Sequence, residues 1–128
     1  MEVEDFKSWF RDVVYSALQR RAKAIMSVKS WDDFVEEMNR VVEDVESNAR
    51  SMGVEAQCRA GLVTANIKFK HGTESYGKAS LLCIIRRPGR ERESMITAYI
   101  PMTIDISLSK PSSVAVIGIG EKDDIEVK

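Results

Sequence analysis

The hydrophobic period of this chain changes once, at Gly53, and that change limits the fold more than any other feature. Before it, Val3, Phe6, Phe10, Val13, Val14, Ala17, Ala24, Ile25 and Val28 recur at helical spacing and define one stripe. Arg20, Arg21 and Lys23 fall late in that stretch, where the helix dipole favours cations. Ser27 to Ser30 interrupts the pattern. Ser30-Trp31-Asp32-Asp33 then reads as a capping box, with Asp33 in place of the usual Glu. A second stripe follows through Trp31, Phe34, Val35, Met38, Val41, Val42, Val45, Ala49 and Met52, with Gly53 as its C-terminal stop. Trp9 and Trp31 lie on the margins of their stripes and are expected in the core.

After Gly53 the apolar residues alternate. Val54, Ala56 and Cys58 predict a short strand, and Ala60-Gly61 shifts the phase as a turn or bulge would. Val63, Ala65, Ile67 and Phe69 alternate next. A loop over 71–75 leads to a strand from Tyr76 to Arg87, and Arg87-Pro88-Gly89-Arg90 is a turn signal. Ile96, Ala98, Ile100, Met102, Ile104, Ile106 and Leu108 keep one parity. Pro101, on the other parity, cannot donate to a ladder, so the run should bend, break or lie at an edge there. Lys110-Pro111 turns into a last strand over 114–119. The expected fold is α+β: two N-terminal helices packed on one face of a mainly antiparallel meander sheet of four to six strands. It is one domain over 1–128, with a helical layer over 1–53, a sheet over 54–119 and a polar tail over 120–128 that should fray.

Composition narrows the class. With 44% hydrophobic and 30% charged residues, the chain is neither disordered nor a disulfide-dense module. No apolar run approaches the ~20 residues of a membrane span, so no membrane partner is expected. Glu2, Glu4, Asp5 and Asp12 argue against a targeting leader, and a cytoplasmic location follows as the expectation. The 19 basic and 20 acidic residues nearly balance, but segment 30–53 holds only Arg40 and Arg50 against seven acids. Of those acids, Asp32, Asp33, Glu36, Glu43 and Asp44 fall on the outer face of the second helix. A solvated face explains them; a basic protein partner is the functional alternative. Cys58 and Cys83 lack metal-site spacing and are read as buried reduced thiols, with a bridge as the alternative in a hyperthermophile. The scarcity of Gln and Asn fits such an organism.

Motifs for chemistry are sparse. The lone histidine, His71, sits in a glycine-containing loop with no nucleophile or acid placed beside it. Gly118-Ile119-Gly120 lacks the third glycine and following helix of a phosphate loop. Asp105 with Glu126-Val127-Lys128 has the residue types of a metal-dependent nuclease, but such groups must converge on an ion and these end the chain. A small metal-dependent enzyme is therefore the weakest reading. No catalytic residue, metal ligand or cofactor is assigned.

Strand pairing supplies the remaining candidates. A hairpin around 71–75 with Lys70 opposite Tyr76 sets Lys68 opposite Lys78 and brings Tyr99 beside Lys78. Lys68, Lys70, Lys78, Tyr76 and Tyr99, extended by Arg86, Arg87, Arg90 and Arg92 at the next turn, would then form a platform for DNA or RNA. The other end of that face carries Leu62, Leu82, Ile84 and Met95, an exposed apolar patch that a second copy of the chain would cover. The leading expectation is a non-enzymatic binding or assembly protein that homo-oligomerises through apolar sheet or helix surface. Nucleic-acid binding is the alternative.

Overall fold

A computed structural model describes residues 3–87, 89, 92–109 and 112–128. Helix α1 spans Val3–Ile25 and helix α2 spans Trp31–Ser51. The Ser30 side chain accepts the Asp33 backbone N–H at 3.1 Å, so the capping residue acts as its position implied. Gly53, at φ 77°, follows the last turn in the left-handed conformation that ends helices. The α1 stripe differs in one respect: its last turns bury Leu18 and Ile25 and leave Ala24 exposed. Between the helices, Arg21 lies 4.0 Å from Glu37 and 3.9 Å from Asp44; within α2, Arg40 reaches Glu37 at 2.9 Å.

Among the described residues six strands follow: β1 (Glu55–Leu62), β2 (Lys68–Lys70), β3 (Thr73–Arg86), β4 (Ser94–Ser107), β5 (Ser113–Ile119) and β6 (Glu126–Val127). All pairings are antiparallel. The long strands β3 and β4 form the centre, and each carries two short neighbours in line on its outer edge. On β3 these are β2 and then β1; on β4 they are β6 and then β5. Both helices pack on one face, α2 over β1 and α1 over β4 and β6. That face buries Ala79, Leu81, Cys83 and Ile85 of β3 and Ile96, Ala98, Ile100, Met102 and Ile104 of β4 against Phe10, Val14, Leu18, Val41 and Val45. Each such Ile or Leu is worth roughly 1.5–3 kcal/mol of transfer free energy.

Register departs from expectation on the first side of the sheet. The turn between β2 and β3 is two residues, His71 and Gly72, at φ 51° and 76°, the conformation a tight hairpin needs. Lys70 therefore pairs with Thr73 and Lys68 with Ser75, not with Tyr76 and Lys78. Ala60-Gly61 is no turn. β1 runs through it to Leu62 and occupies the edge expected for 63–69; of that stretch 63–67 becomes a connection carrying Asn66 at positive φ, and Lys68 and Phe69 fall in β2.

Pro101 interrupts nothing in β4. It faces Lys78 next to an irregularity in β3 at Gly77, and lies in the gap between β6 and β5, where no neighbour needs its missing N–H. The tail also corrects the expectation. Lys122–Asp124 form a 3-10 turn, Ile125 and Val127 are buried, and the Arg11 Nε–H donates to the Ile125 carbonyl at 2.9 Å. The turn read at Pro88 and that at Lys110-Pro111 lie on or beside residues outside those described.

The reading of Cys58 and Cys83 as free thiols is overturned: they are joined by a disulfide. Val63 N–H donates to the Lys78 carbonyl, which makes Val63 and Lys78 a hydrogen-bonded pair. Counting back by alternation, Cys58 and Cys83 are a non-hydrogen-bonded pair, the closer kind, with Cα atoms 4.1 Å apart. Sequence spacing alone does not reveal directly opposed positions, because that depends on register.

Candidate functional site

Among the described residues, no element covers the face of the sheet turned from the helices, and that face is in this sense bare. Across it, Gln57, Ile84 and Met95 lie in one row, Arg59, Leu82 and Thr97 in the next, and Gly61, Ser80 and Tyr99 in a third. Met95 is 70% exposed and Ile84 39%, while Leu82, Thr97 and Tyr99 are half-buried. Three of the four residues expected to form an apolar patch, Leu82, Ile84 and Met95, are thus contiguous.

Leu62 is not among them. It pairs with Ala79, and directly opposed residues share a face, so it points to the helix side. The shorter turn and the longer β1 reversed its parity. Leu62 instead helps line a shallow cleft of about 70 Å³ with Trp31, Phe34, Val35, Met38 and Ala60. Trp31, expected in the core, is 46% exposed and stacks on Phe34 at 5.7 Å. Trp9 packs half-buried beside Phe6.

The basic set divides. Lys68, Lys70 and Lys78 share the bare face with Tyr99, but Lys78 pairs with Pro101 and Tyr99 with Ser80, so the rows differ from those expected. Tyr76 pairs with Ile104 and packs on the helix side, because the irregularity at Gly77 changes parity between it and Lys78. Its hydroxyl donates to the Glu74 carboxylate at 3.0 Å; that bond, partial burial and the negative charge hold the phenol above its ordinary pKa. Arg86 is paired with Glu93 at 3.0 Å. Arg87 turns under the helical layer, its guanidinium 4.1 Å from the Phe6 ring centre. Arg92 is exposed, and Arg90 lies outside the described residues. Arg59, which the sequence reading passed over, joins the lysines on the bare face, and its place at an outward position of β1 follows only once the register is known. Among the described residues, no ion pair engages Arg59, Lys68, Lys70 or Lys78.

The nuclease-like carboxylates do not converge. Asp105 accepts the Ser75 hydroxyl at 2.6 Å, and Glu126 faces Tyr99, six residues back along β4 and therefore ~20 Å away. Among the described residues, no group of three or more His, Cys, Asp and Glu could hold a metal ion, and no helix is long and apolar enough to cross a membrane. A concavity of about 540 Å³ forms an open polar groove beside the β1 edge, lined by Glu46, Arg50, Glu55, Gln57, Arg86 and Glu93 among others. No protein-family model matches the chain, and neither the curated proteins nor the solved structures include a significant match.

Proposed function

We propose that this chain is a non-enzymatic assembly protein whose bare sheet face docks on a second copy of itself. The observation that carries this reading is the row of Ile84 and Met95 beside Leu82, apolar side chains on a face that no element among the described residues covers. Removing such side chains from water favours association at roughly 25 cal/mol per Å² before the costs of ordering. Two sheets meeting face to face at ~10 Å would interleave them. The face also carries both charge signs near the patch, Arg59 with Glu55 and Arg86 with Glu93, a mixture that a half-turn-related copy can match. A cytoplasmic location goes with this proposal; the bridge is compatible with it in a heat-adapted organism, where intracellular disulfides occur.

Solution mass tests the reading. Light scattering at tens of micromolar should give at least twice 14.4 kDa, and Ile84→Asp with Met95→Asp should return the chain to one copy while leaving it folded by circular dichroism. A monomer at millimolar concentration would reject it. Nucleic-acid binding remains the second reading, supported by Arg59, Lys68, Lys70 and Lys78 on one face without acidic partners among the described residues. Retention on immobilised single strands that weakens steeply with salt and is lost in Lys68→Ala with Lys78→Ala would favour it instead.

A further inference from the structure

The free edge of β1 differs along its length. Alternation from the Val63–Lys78 bond points the backbone groups of Ala56, Cys58, Ala60 and Leu62 off the sheet. The Cys58 N–H is taken by the Glu46 carboxylate of α2 at 2.8 Å, which closes the edge there. Ala60 and Leu62 have no such cover among the described residues. Beside them opens the apolar cleft, whose floor is small at Ala60 and Gly61 and whose wall is Trp31 and Val35, both exposed. Helical geometry sets Asp32 and Glu43 on the next ridge of α2 outward from Val35, both exposed, together with Glu36, which is paired with Arg40 at 2.8 Å.

Three features thus meet: unpaired main-chain donors and acceptors, an apolar slot next to them, and an acidic rim. Unpaired strand groups call for an extended chain. The slot calls for one bulky apolar side chain on it, and the rim calls for basic flanks. We propose that the Ala60–Leu62 edge binds a short, extended segment of a partner protein by strand addition, with a large apolar residue between Lys or Arg residues. A second copy does not suit this place, because β1 against β1 would bring two acidic α2 ridges together. Glu46 stops the added strand at Cys58, which limits the pairing to a few residues and prevents runaway sheet growth.

A fluorescein-labelled peptide KVKFKVK, titrated with the full chain and read by anisotropy, tests the inference, with EVEFEVE as the control. We expect saturable binding of the first and at least tenfold weaker binding of the second. Val35→Lys, an exposed position, should weaken binding at least tenfold. Ala60→Pro should do the same, since it deletes an outward N–H at an edge where proline is tolerated. Amide resonances of Ala60 and Leu62 should shift on titration in the parent chain. Equal binding of both peptides, equal binding to both variants, or no anisotropy change at millimolar protein would overturn the proposal. So would a drop in solution mass of the peptide-free chain on Val35→Lys, which would assign the cleft to a second copy.

Discussion

Strands β3 and β4 present two opposite surfaces built from alternate residues of the same backbone. Toward the helices stand Leu81, Cys83, Ile85, Ile96, Ala98 and Ile100, all at most 5% exposed; away from them stand Leu82, Ile84, Met95, Thr97 and Tyr99. The outward row is nearly as apolar in its first half as the inward one. What separates the two is cover, not composition. Alternation establishes that a strand has two sides, but which apolar side the helices take depends on the sum over every strand. Here the run Leu81 to Ile85 is apolar on both parities, and the neighbours decide: β1 and β4 supply Ala56, Cys58, Ala60, Ile96, Ala98 and Ile100 on one side and Gln57, Arg59, Thr97 and Tyr99 on the other.

The comparison breaks or holds on paired truncations. Leu81→Ala or Ile100→Ala should lose about 2–5 kcal/mol in urea unfolding, since each leaves a cavity among packed neighbours. Ile84→Ala and Met95→Ala should stay within about 1 kcal/mol in a chain kept dilute, because the outward side chains are part-solvated already. Equal losses on both sides would mean that the outward row is buried in solution even at low concentration. The bridge comes next in size. Replacing Cys58 and Cys83 by Ala, or reducing them, frees a loop closed over a sequence separation of 25 and should cost about 3 kcal/mol. Hydrogen exchange should then show the β1 amides opening before those of β3 and β4, because β1 has only one strand neighbour. Uniform loss of protection would show that the edge strand and the centre open together.

How much of this was legible depended on range. The helices, their Ser30 cap and Gly53 stop, and the strands 94–107 and 113–119 followed from signals within a few residues. The bare face with Leu82, Ile84 and Met95 was legible too, since it needs only the parity of β3 and β4. Tyr76 was misplaced by the irregularity at Gly77, whereas Leu62 and the two cysteines were misplaced for one shared reason. Their positions rest on the first hairpin, where His71 adopts a left-handed backbone that glycine, asparagine or aspartate adopts more readily. A loop of five residues and a turn of two leave different registers, and every residue from 54 to 70 inherits that choice. The buried tail escaped detection because Ile125 and Val127 are only two apolar residues among acids and lysines, and their cover lies more than a hundred residues away at Arg11 and α1.

The smallest effect concerns the tyrosine that changed sides. Tyr76 stands on the covered face, where its hydroxyl is hydrogen-bonded to the Glu74 carboxylate two residues earlier. That bond exists only while the phenol keeps its proton, so the folded chain holds the proton more tightly than the unfolded one. The sign follows: the contribution is fully present below the ordinary phenolic value and is lost as pH rises through the raised one. Phenolate absorbance during alkaline titration should contain a late step that Tyr76→Phe removes. Glu74→Gln should move it down toward the ordinary value by removing both the acceptor charge and the repulsion of the phenolate. If the step ignores Glu74→Gln, the side chain lies on the bare face after all, and the parity change at Gly77 is wrong. That result would also return Tyr76 to the row of Lys78 and Tyr99 and strengthen the nucleic-acid reading, so one titration reports on the register and on the choice between partners.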